Sequence, residues 1–154
     1  MAIHQHGPNA NTEWLYFQSV IAWVMATFPR YRKEMKAVEW GPLYNTLKDV
    51  PQDSAKLEVE VTKLMLDPDV SSRKGIYTFV LTGDERPLSI RAFTDADKRL
   101  AYERQQGVCP VCGKTVELAE MHADHITPWR LGGRTIAENC QLLCADDNRR
   151  KGGV

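Results

Sequence analysis

The chain has 154 residues, of which 43% are hydrophobic and 26% are charged, and its 20 Lys and Arg residues balance its 20 Asp and Glu residues. This length suffices for one domain, or for a small domain with a helical annex, and the composition is that of a soluble globular protein. The balanced charge excludes a global positive field, so any binding to nucleic acid must come from a local basic patch.

The beginning of the chain predicts a flexible lead-in followed by a buried helix. Residues 1–12 are polar and contain Gly and Pro. Residues 13–28 are apolar on nearly every face, which is typical of a central helix. This run is shorter than the roughly 20 residues that span a bilayer, and no leader sequence opens the chain. We therefore expect a cytoplasmic protein with no membrane partner.

The next 60 residues predict further helices. "RYRKEMKAVEW" has the pattern of an amphipathic helix, and "GPLYNTLKDVP" and "DSAKLEVEVTKLML" predict two more. Residues 76–93 are rich in β-forming residues around a Gly-Asp turn, so a hairpin is possible there, although a short helix fits the first half equally well. The region 13–93 is therefore expected to be mainly helical.

A clearer helix begins the second region, 94–154. Thr94 and Asp97 have the spacing of a capping box, and Gly107 supplies the end of the helix. This helix leads directly to Cys109. Most side chains suited to metal binding or catalysis follow within the next 45 residues.

The cysteines predict a metal site. All four lie between residues 109 and 144, close to His and Asp residues, which favours metal over disulfides in a reducing compartment. "CPVC" is half of a paired-cysteine zinc clip, and Cys144 begins a second half in which Asp147 replaces the expected cysteine. Alternatively, Asp146 and Asp147 only cap a helix. The candidate structural zinc ligands are Cys109, Cys112, Cys144 and Asp147.

Four pieces recur in order in this region: "CPVC", "HADHI", "GGRTIAENCQLLC" and "DNRRK". The ordered set resembles the HNH nuclease motif of the ββα-metal fold. "MHADHI" predicts a strand, "CQLLC" the returning strand, and "DDNRRK" a helix packed across both. The expected fold class is α+β, with a mainly helical N-terminal region followed by a C-terminal HNH nuclease domain at 94–154.

The resemblance implies a role for each polar residue of the motif. His125 would be the general base that takes a proton from water. Asp124 and Asn148 would hold one Mg²⁺ or Mn²⁺ ion through oxygen atoms, and Asn139 would orient the loop that carries the base. His122 is either a second metal ligand or an ordinary exposed histidine. The candidates for contact with phosphate or DNA are Lys151, Arg149, Arg150 and Arg130.

These residues indicate a metal-dependent endonuclease that hydrolyses DNA. "WLYFQSVIAWV", "YRKEMKAVEWGPLY" and "RAFTDADKRLAYERQQGVCPVCG" also resemble the C-terminal part of GmrSD-type restriction proteins. That resemblance implies restriction or phage defence, with a nucleotide-hydrolysing partner domain or protein. One alternative is a zinc-clipped module that binds nucleic acid without cutting it. Another is that the helical segment 13–66 binds a partner, and a homodimer is also possible.

Overall fold

In the computed structural model of the chain, residues 8–152 are described, and they divide into two units between Ser89 and Ile90. This division lies close to the boundary expected from the sequence. The described helices and strands, in chain order, are α1 (Pro8–Thr27), α2 (Trp40–Leu47), α3 (Ser54–Met65), α4 (Gly75–Thr82), α5 (Asp95–Gln105), β1 (Met121–His125), β2 (Cys140–Cys144) and α6 (Ala145–Gly152).

The N-terminal unit is held together by an aromatic cluster. The ring of Tyr77 on α4 lies 5.1 Å from that of Phe28 and 5.6 Å from that of Trp40, measured between centroids. Edge-to-face contacts of this kind stabilise a core beyond the area they bury. Val61 and Ile76 complete the interior, and both are fully buried. The cluster therefore joins the end of α1 to α2 and α4.

In this unit, the structure decides between the hairpin and the short helix left open for residues 76–93, and it corrects the helix expected from "RYRKEMKAVEW". Residues 76–93 form no hairpin, because α4 occupies Gly75–Thr82 and packs against α3. This is the helical alternative for the first half of the stretch, and tertiary packing overrides the β propensity of its residues. The helix expected from "RYRKEMKAVEW" is only a 3₁₀ turn, Lys33–Ala37, since the backbone is extended on both sides, at Arg32 and Val38.

Helix α1 also differs from expectation. It begins at Pro8, so residues 8–12 are helical, while the rest of the expected lead-in lies outside the described residues. Val20, Val24 and Phe28 are buried, but Trp14 and Leu15 are more than half exposed. The helix is therefore central only in its second half. No helix in the part of the chain that the structure describes is long and apolar enough to cross a membrane.

The C-terminal unit has a two-stranded antiparallel sheet with helices packed on it. Asp124 pairs with Gln141, and His125 with Cys140, in the register of β1 and β2. Helix α5 packs on β2, and α6 packs on both strands. Because two strands alone are at best marginally stable in water, these helices complete the domain. The expected α+β class with a C-terminal ββα arrangement is confirmed.

Helix α5 is fixed at both ends. The Thr94 hydroxyl accepts a hydrogen bond from the Asp97 amide, and the Asp97 carboxylate accepts one from the Thr94 amide, as a capping box requires. At its other end, the Gln105 side chain accepts a bond from the Leu142 amide at 2.8 Å and donates one to the Leu142 carbonyl at 2.9 Å. Gln105 thereby satisfies backbone groups of β2 that face away from β1. Cys140 is fully buried beside Leu142, as expected of a small apolar residue.

An ion pair ties the chain before the 3₁₀ turn to α3. The Arg32 guanidinium donates to both carboxylate oxygens of Glu58 and to the Thr62 hydroxyl. The side chains of Arg32 and Glu58 are only 13% and 28% exposed. The hydrogen bond from Arg32 lowers the pKa of Glu58 below its ordinary value of 4.5. A bidentate, half-buried pair of this kind contributes more than a surface pair does.

We expect Glu58→Gln to lower the free energy of unfolding at pH 7 by about 1 to 2 kcal/mol. Because the pKa is lower in the folded state, the stabilisation is present above the ordinary pKa and is lost as the pH falls through the folded pKa. Denaturant unfolding at pH 7 and near pH 3.5 measures this difference. The control is Asp84→Asn, whose partner Arg86 is 90% exposed and which should change little. An equal deficit of Glu58→Gln at both pH values would contradict the account.

Candidate functional site

Three cysteines and one aspartate meet at the junction of β2 and α6. One ligand atom from each residue lies within 4.8 Å of all the others: Cys109, Cys112, Cys144 and Asp147. The two upstream cysteines come from the turn after α5, while Cys144 ends β2 and Asp147 lies in the first turn of α6. The structure thus brings together all four of the residues that the sequence proposed as zinc ligands.

The turn that carries Cys109 and Cys112 is narrow. The Cys109 amide donates to the Lys114 carbonyl, and the Gly113 amide donates to the Cys109 carbonyl, both at 2.9 Å. Gly113 has a φ of +72°, which favours glycine because it has no side chain. A bridge between Val108 and Thr115 closes the turn. Both thiols are thereby presented on the same side of a short loop.

The Asp147 carboxylate is the centre of the cluster. It is only 3% exposed, and its Oδ2 atom accepts hydrogen bonds from Cys144 at 3.1 Å and from Cys109 at 3.3 Å. Hydrogen bonds from Cys112, Cys144 and Cys109 lower the pKa of Asp147. A residue that only capped α6 would not need to bury its charge among sulfur atoms, because a buried carboxylate is costly unless it is compensated.

The thiols show the complementary effect. The hydrogen bond with Asp147 raises the pKa of Cys112 to about 12, so the metal-free cluster holds that sulfur as a thiol. Burial opposes ionisation of Cys109, but backbone hydrogen bonds from Cys112 and Cys144 outweigh it and lower the pKa of Cys109. Three sulfurs and a carboxylate oxygen fit Zn²⁺, which binds thiolates by displacing their protons.

A second group of polar residues lies at the end of β1. Oδ2 of Asp124 accepts a hydrogen bond from Gln141 at 2.8 Å and another from the Lys151 ammonium. Lys151 also donates to the His125 carbonyl at 2.7 Å. The last turn of α6 is therefore bonded directly to the strand that carries Asp124 and His125.

Two oxygen ligands remain available beside these contacts. The described residues direct their hydrogen bonds to Oδ2 of Asp124 and leave its Oδ1 atom unbonded. Asn148 is half-buried, and within residues 8–152 its side chain makes no hydrogen bond. Asn148 and Lys151 are three residues apart on α6 and so share a face. The carboxylate and amide oxygens have the chemistry that Mg²⁺ or Mn²⁺ prefers.

The His125 ring is held on two sides. Its Nε2 atom lies 3.0 Å from the Thr135 hydroxyl, and its centroid lies 4.5 Å from that of Phe93. Thr135 is 1% exposed, so the hydroxyl is part of a packed interior. The orientation of the imidazole is therefore fixed by the fold, as a base that must meet a particular water requires.

Asn139 closes the loop that follows His125. Its side chain accepts a hydrogen bond from the Thr127 amide at 2.8 Å and donates to the carbonyls of Thr127 and Arg134 at 3.0 and 2.9 Å. Gly133 allows this closure, because a Cβ atom at that position would lie 1.8 Å from the Thr127 carbonyl oxygen. Asn139 therefore bonds both the beginning and the later part of this loop.

The candidate arginines are exposed. Arg149 and Arg150 are 76% and 78% exposed, and they approach the carboxylates of Asp146 and Asp147, one turn earlier on α6. Arg130 lies on an exposed 3₁₀ turn, Trp129–Leu131, within the loop that Asn139 closes. His122 is exposed and belongs to no cluster of metal-binding residues in the described part of the chain.

Sequence reasoning missed two residues of this site. Gln141 bonds Asp124, and Thr135 bonds His125. Pairing "MHADH" with "CQLLC" in antiparallel register places Gln141 opposite Asp124, so that contact could have been found from the strand pattern. Thr135 lies in an irregular loop and has no such signal.

A short antiparallel sheet crossed by a helix, with oxygen donors where strand and helix meet, defines the ββα-metal class of site. Residues 109–153 match the family model described as HNH endonuclease. No curated protein and no solved structure matches the chain significantly. The family match covers the cysteine turn, both strands and α6, so this part of the C-terminal unit is similar to HNH endonucleases.

We expect the purified protein to contain one Zn²⁺ per chain, and Asp147→Ala to lose it, because the variant removes the central buried ligand. Elemental analysis after dialysis measures the zinc content. Asp146→Ala is the matched control, since this neighbouring aspartate is exposed and pairs with Arg149. Zinc retained at full stoichiometry in Asp147→Ala would show that Asp147 is only a helix cap.

Proposed function

We propose that this protein is a metal-dependent endonuclease that hydrolyses DNA phosphodiester bonds. The observation that supports it best is the bonding of Lys151 on α6 to Asp124 and to the His125 carbonyl on β1, with Asn148 one turn before Lys151 on the same face of α6. These four residues lie inside the segment that matches the HNH endonuclease family, whose members act on DNA. Hydrolysis needs a deprotonated water, neutralisation of charge on the phosphate and help for the departing 3′ oxygen.

Asp124 and Asn148 would hold one Mg²⁺ or Mn²⁺ ion. When bound, such an ion neutralises charge on the phosphate and stabilises the leaving oxygen. With only two protein ligands, the ion would have coordination positions left for water and phosphate. Gln141 orients the Asp124 carboxylate from the neighbouring strand, and its bond to Oδ2 would leave Oδ1 available as a ligand.

His125 would take the proton from the attacking water. The ordinary pKa of histidine, about 6.5, suits a base at neutral pH. The Thr135 hydroxyl and the Phe93 ring hold the imidazole in one orientation. Asn139 keeps the following loop closed, so base and ion are supported by the same strand and loop.

Lys151 supplies a positive charge at this position. Its bonds to Asp124 and to the His125 carbonyl place the ammonium group at the end of β1, where it can contact the phosphate beside the scissile bond. Arg149, Arg150 and Arg130 would bind neighbouring phosphates. Together these side chains would form a local basic patch. A chain with no net charge needs such a patch to bind nucleic acid.

The cysteine cluster would hold a structural zinc ion. Four protein ligands complete a tetrahedral site and leave no position for substrate. The thiols bind metal only when reduced, so we place the protein in the cytoplasm. Restriction or phage defence, with a nucleotide-hydrolysing partner, is the setting we favour on the resemblance to GmrSD-type proteins.

A second candidate function is a module that binds nucleic acid without cutting it. The cysteine cluster favours it, because a zinc clip at these residues could hold a nucleic-acid-binding surface without any catalytic metal. The two candidates differ in what they require of Asp124, His125 and Asn148. A binding module has no use for an oriented base beside two oxygen ligands, so the endonuclease is the better account.

Plasmid cleavage in Mg²⁺ or Mn²⁺ tests the proposal. We expect the wild type to nick or linearise DNA, and His125→Ala to cut at least about 100-fold more slowly, since a general base contributes on the order of 10² to 10⁴ in rate. Asn148→Ala should show a comparable loss. His122→Ala is the matched control, because this exposed histidine lies on the same strand and should leave the rate unchanged.

The zinc content and circular dichroism of each variant show whether it is folded. Wild-type rates in both His125→Ala and Asn148→Ala would contradict the site assignment. A folded wild type that binds DNA but cuts none, including modified phage DNA, would favour the binding module.

A further inference from the structure

The first half of α1 exposes several large apolar side chains. All ten residues at positions 10–19, here called the exposed segment, are exposed. Among them, Trp14, Leu15 and Phe17 are 57%, 62% and 53% exposed. Consecutive residues of a helix point about 100° apart, so these three side chains lie on one broad face, while Tyr16 on the opposite side bonds Gly41 and Asn45. Apolar surface of this extent marks a site of association.

One side of an apolar groove is formed by α1, from Tyr16 and Phe17 at the end of the exposed segment through the second half of the helix. The groove has a volume of about 760 Å³. Ile21 and Met25 lie on its α1 side, and Tyr31, Met35 and Trp40 lie on the side formed by the 3₁₀ turn and α2. Met25 and Tyr31 are 66% and 64% exposed, so the groove is open to the exterior. Lys36 is the one charged side chain in its lining.

We propose that a second copy of this chain covers both features. The exposed segment of one copy lies in the groove of the other, and the contact is reciprocal. The exposed segment and one side of the groove belong to the same helix. In a dimer with two-fold symmetry, both segment-to-groove contacts can therefore form at once. The inference concerns the N-terminal unit and does not depend on the proposed nuclease activity.

The exposed apolar area of α1 and Tyr31 is as large as the area that one partner buries in a stable dimer. The exposed parts of the large apolar side chains of α1, together with Tyr31, amount to roughly 800 Å², which is the share of one partner in an interface of standard size. These side chains include three aromatic rings at positions 14, 16 and 17, the residue type most enriched at interfaces. Patches of this size are uncommon on monomers.

The chemistry of α1 also favours a copy of itself. Glu13 is the one charged residue between Pro8 and Thr27, so two such helices meet without repulsion between like charges. The opposite side of α1 packs within the unit, where Tyr16 and Trp23 contact the Tyr44 ring. The exposed apolar face is therefore the part of α1 that a second copy would cover.

The test is the mass of the full chain in solution, measured by light scattering during size-exclusion chromatography from about 1 to 100 µM. We expect the wild type at twice the chain mass of 17.5 kDa and Met25→Asp at 17.5 kDa. Val59→Asp is the matched control, because Val59 on α3 has the same 66% exposure as Met25 but lies outside the groove. It should remain a dimer. Circular dichroism and denaturant unfolding show whether each variant is folded.

Hydrogen exchange across residues 10–25 gives a second reading. We expect protection that increases with protein concentration in the wild type and is lost in Met25→Asp. A wild type that is monomeric at 100 µM overturns the proposal, whatever else then covers the exposed segment. A folded Met25→Asp that stays dimeric also overturns it, since the interface would then lie elsewhere.

Discussion

The C-terminal unit depends on one buried carboxylate held among three sulfur atoms. Asp147 joins the cysteine turn after α5 to the start of α6, and so fixes how α6 crosses a sheet of only two strands. Asn148 follows it directly and points about 100° away around the helix. The position of Asp147 in the cysteine cluster therefore sets the direction of the Asn148 side chain, which would hold the catalytic ion. A structural metal at the cysteine cluster and an ion at Asn148 would therefore be coupled through one turn of helix.

A second constraint acts at the end of β1 and in the loop that follows it. Asn139 closes the loop after His125, and Thr135 at the far end of that loop bonds the imidazole. Gln141 and Lys151 hold the Asp124 carboxylate from β2 and from α6. Each chemical group is thus supported by an element other than its own. An arrangement of this kind resists small displacements, on which catalytic rates depend steeply.

Much of the C-terminal unit could be predicted because its signals are local. The capping box of α5, the strand at 121–125 and the clustering of the four candidate zinc ligands follow from spacings of a few residues. The contact of Thr135 with His125 could not be predicted, because it depends on the path of an irregular loop. In the N-terminal unit, the first half of residues 76–93 is rich in β-forming residues but forms helix α4, which packs against α3. Uniform apolarity in α1 predicted burial, yet its first half is exposed.

The central claim is that the cysteine cluster positions α6 so that Asp124 and Asn148 can share one ion. Electron paramagnetic resonance of Mn²⁺ tests this most directly, by comparing the wild type with Asp147→Ala and Asp146→Ala. The account predicts one Mn²⁺ site in the wild type and in Asp146→Ala. It predicts weakened or absent binding in Asp147→Ala, although Asp147 is not proposed as a ligand of that ion. Full Mn²⁺ affinity in zinc-free Asp147→Ala would contradict the coupling.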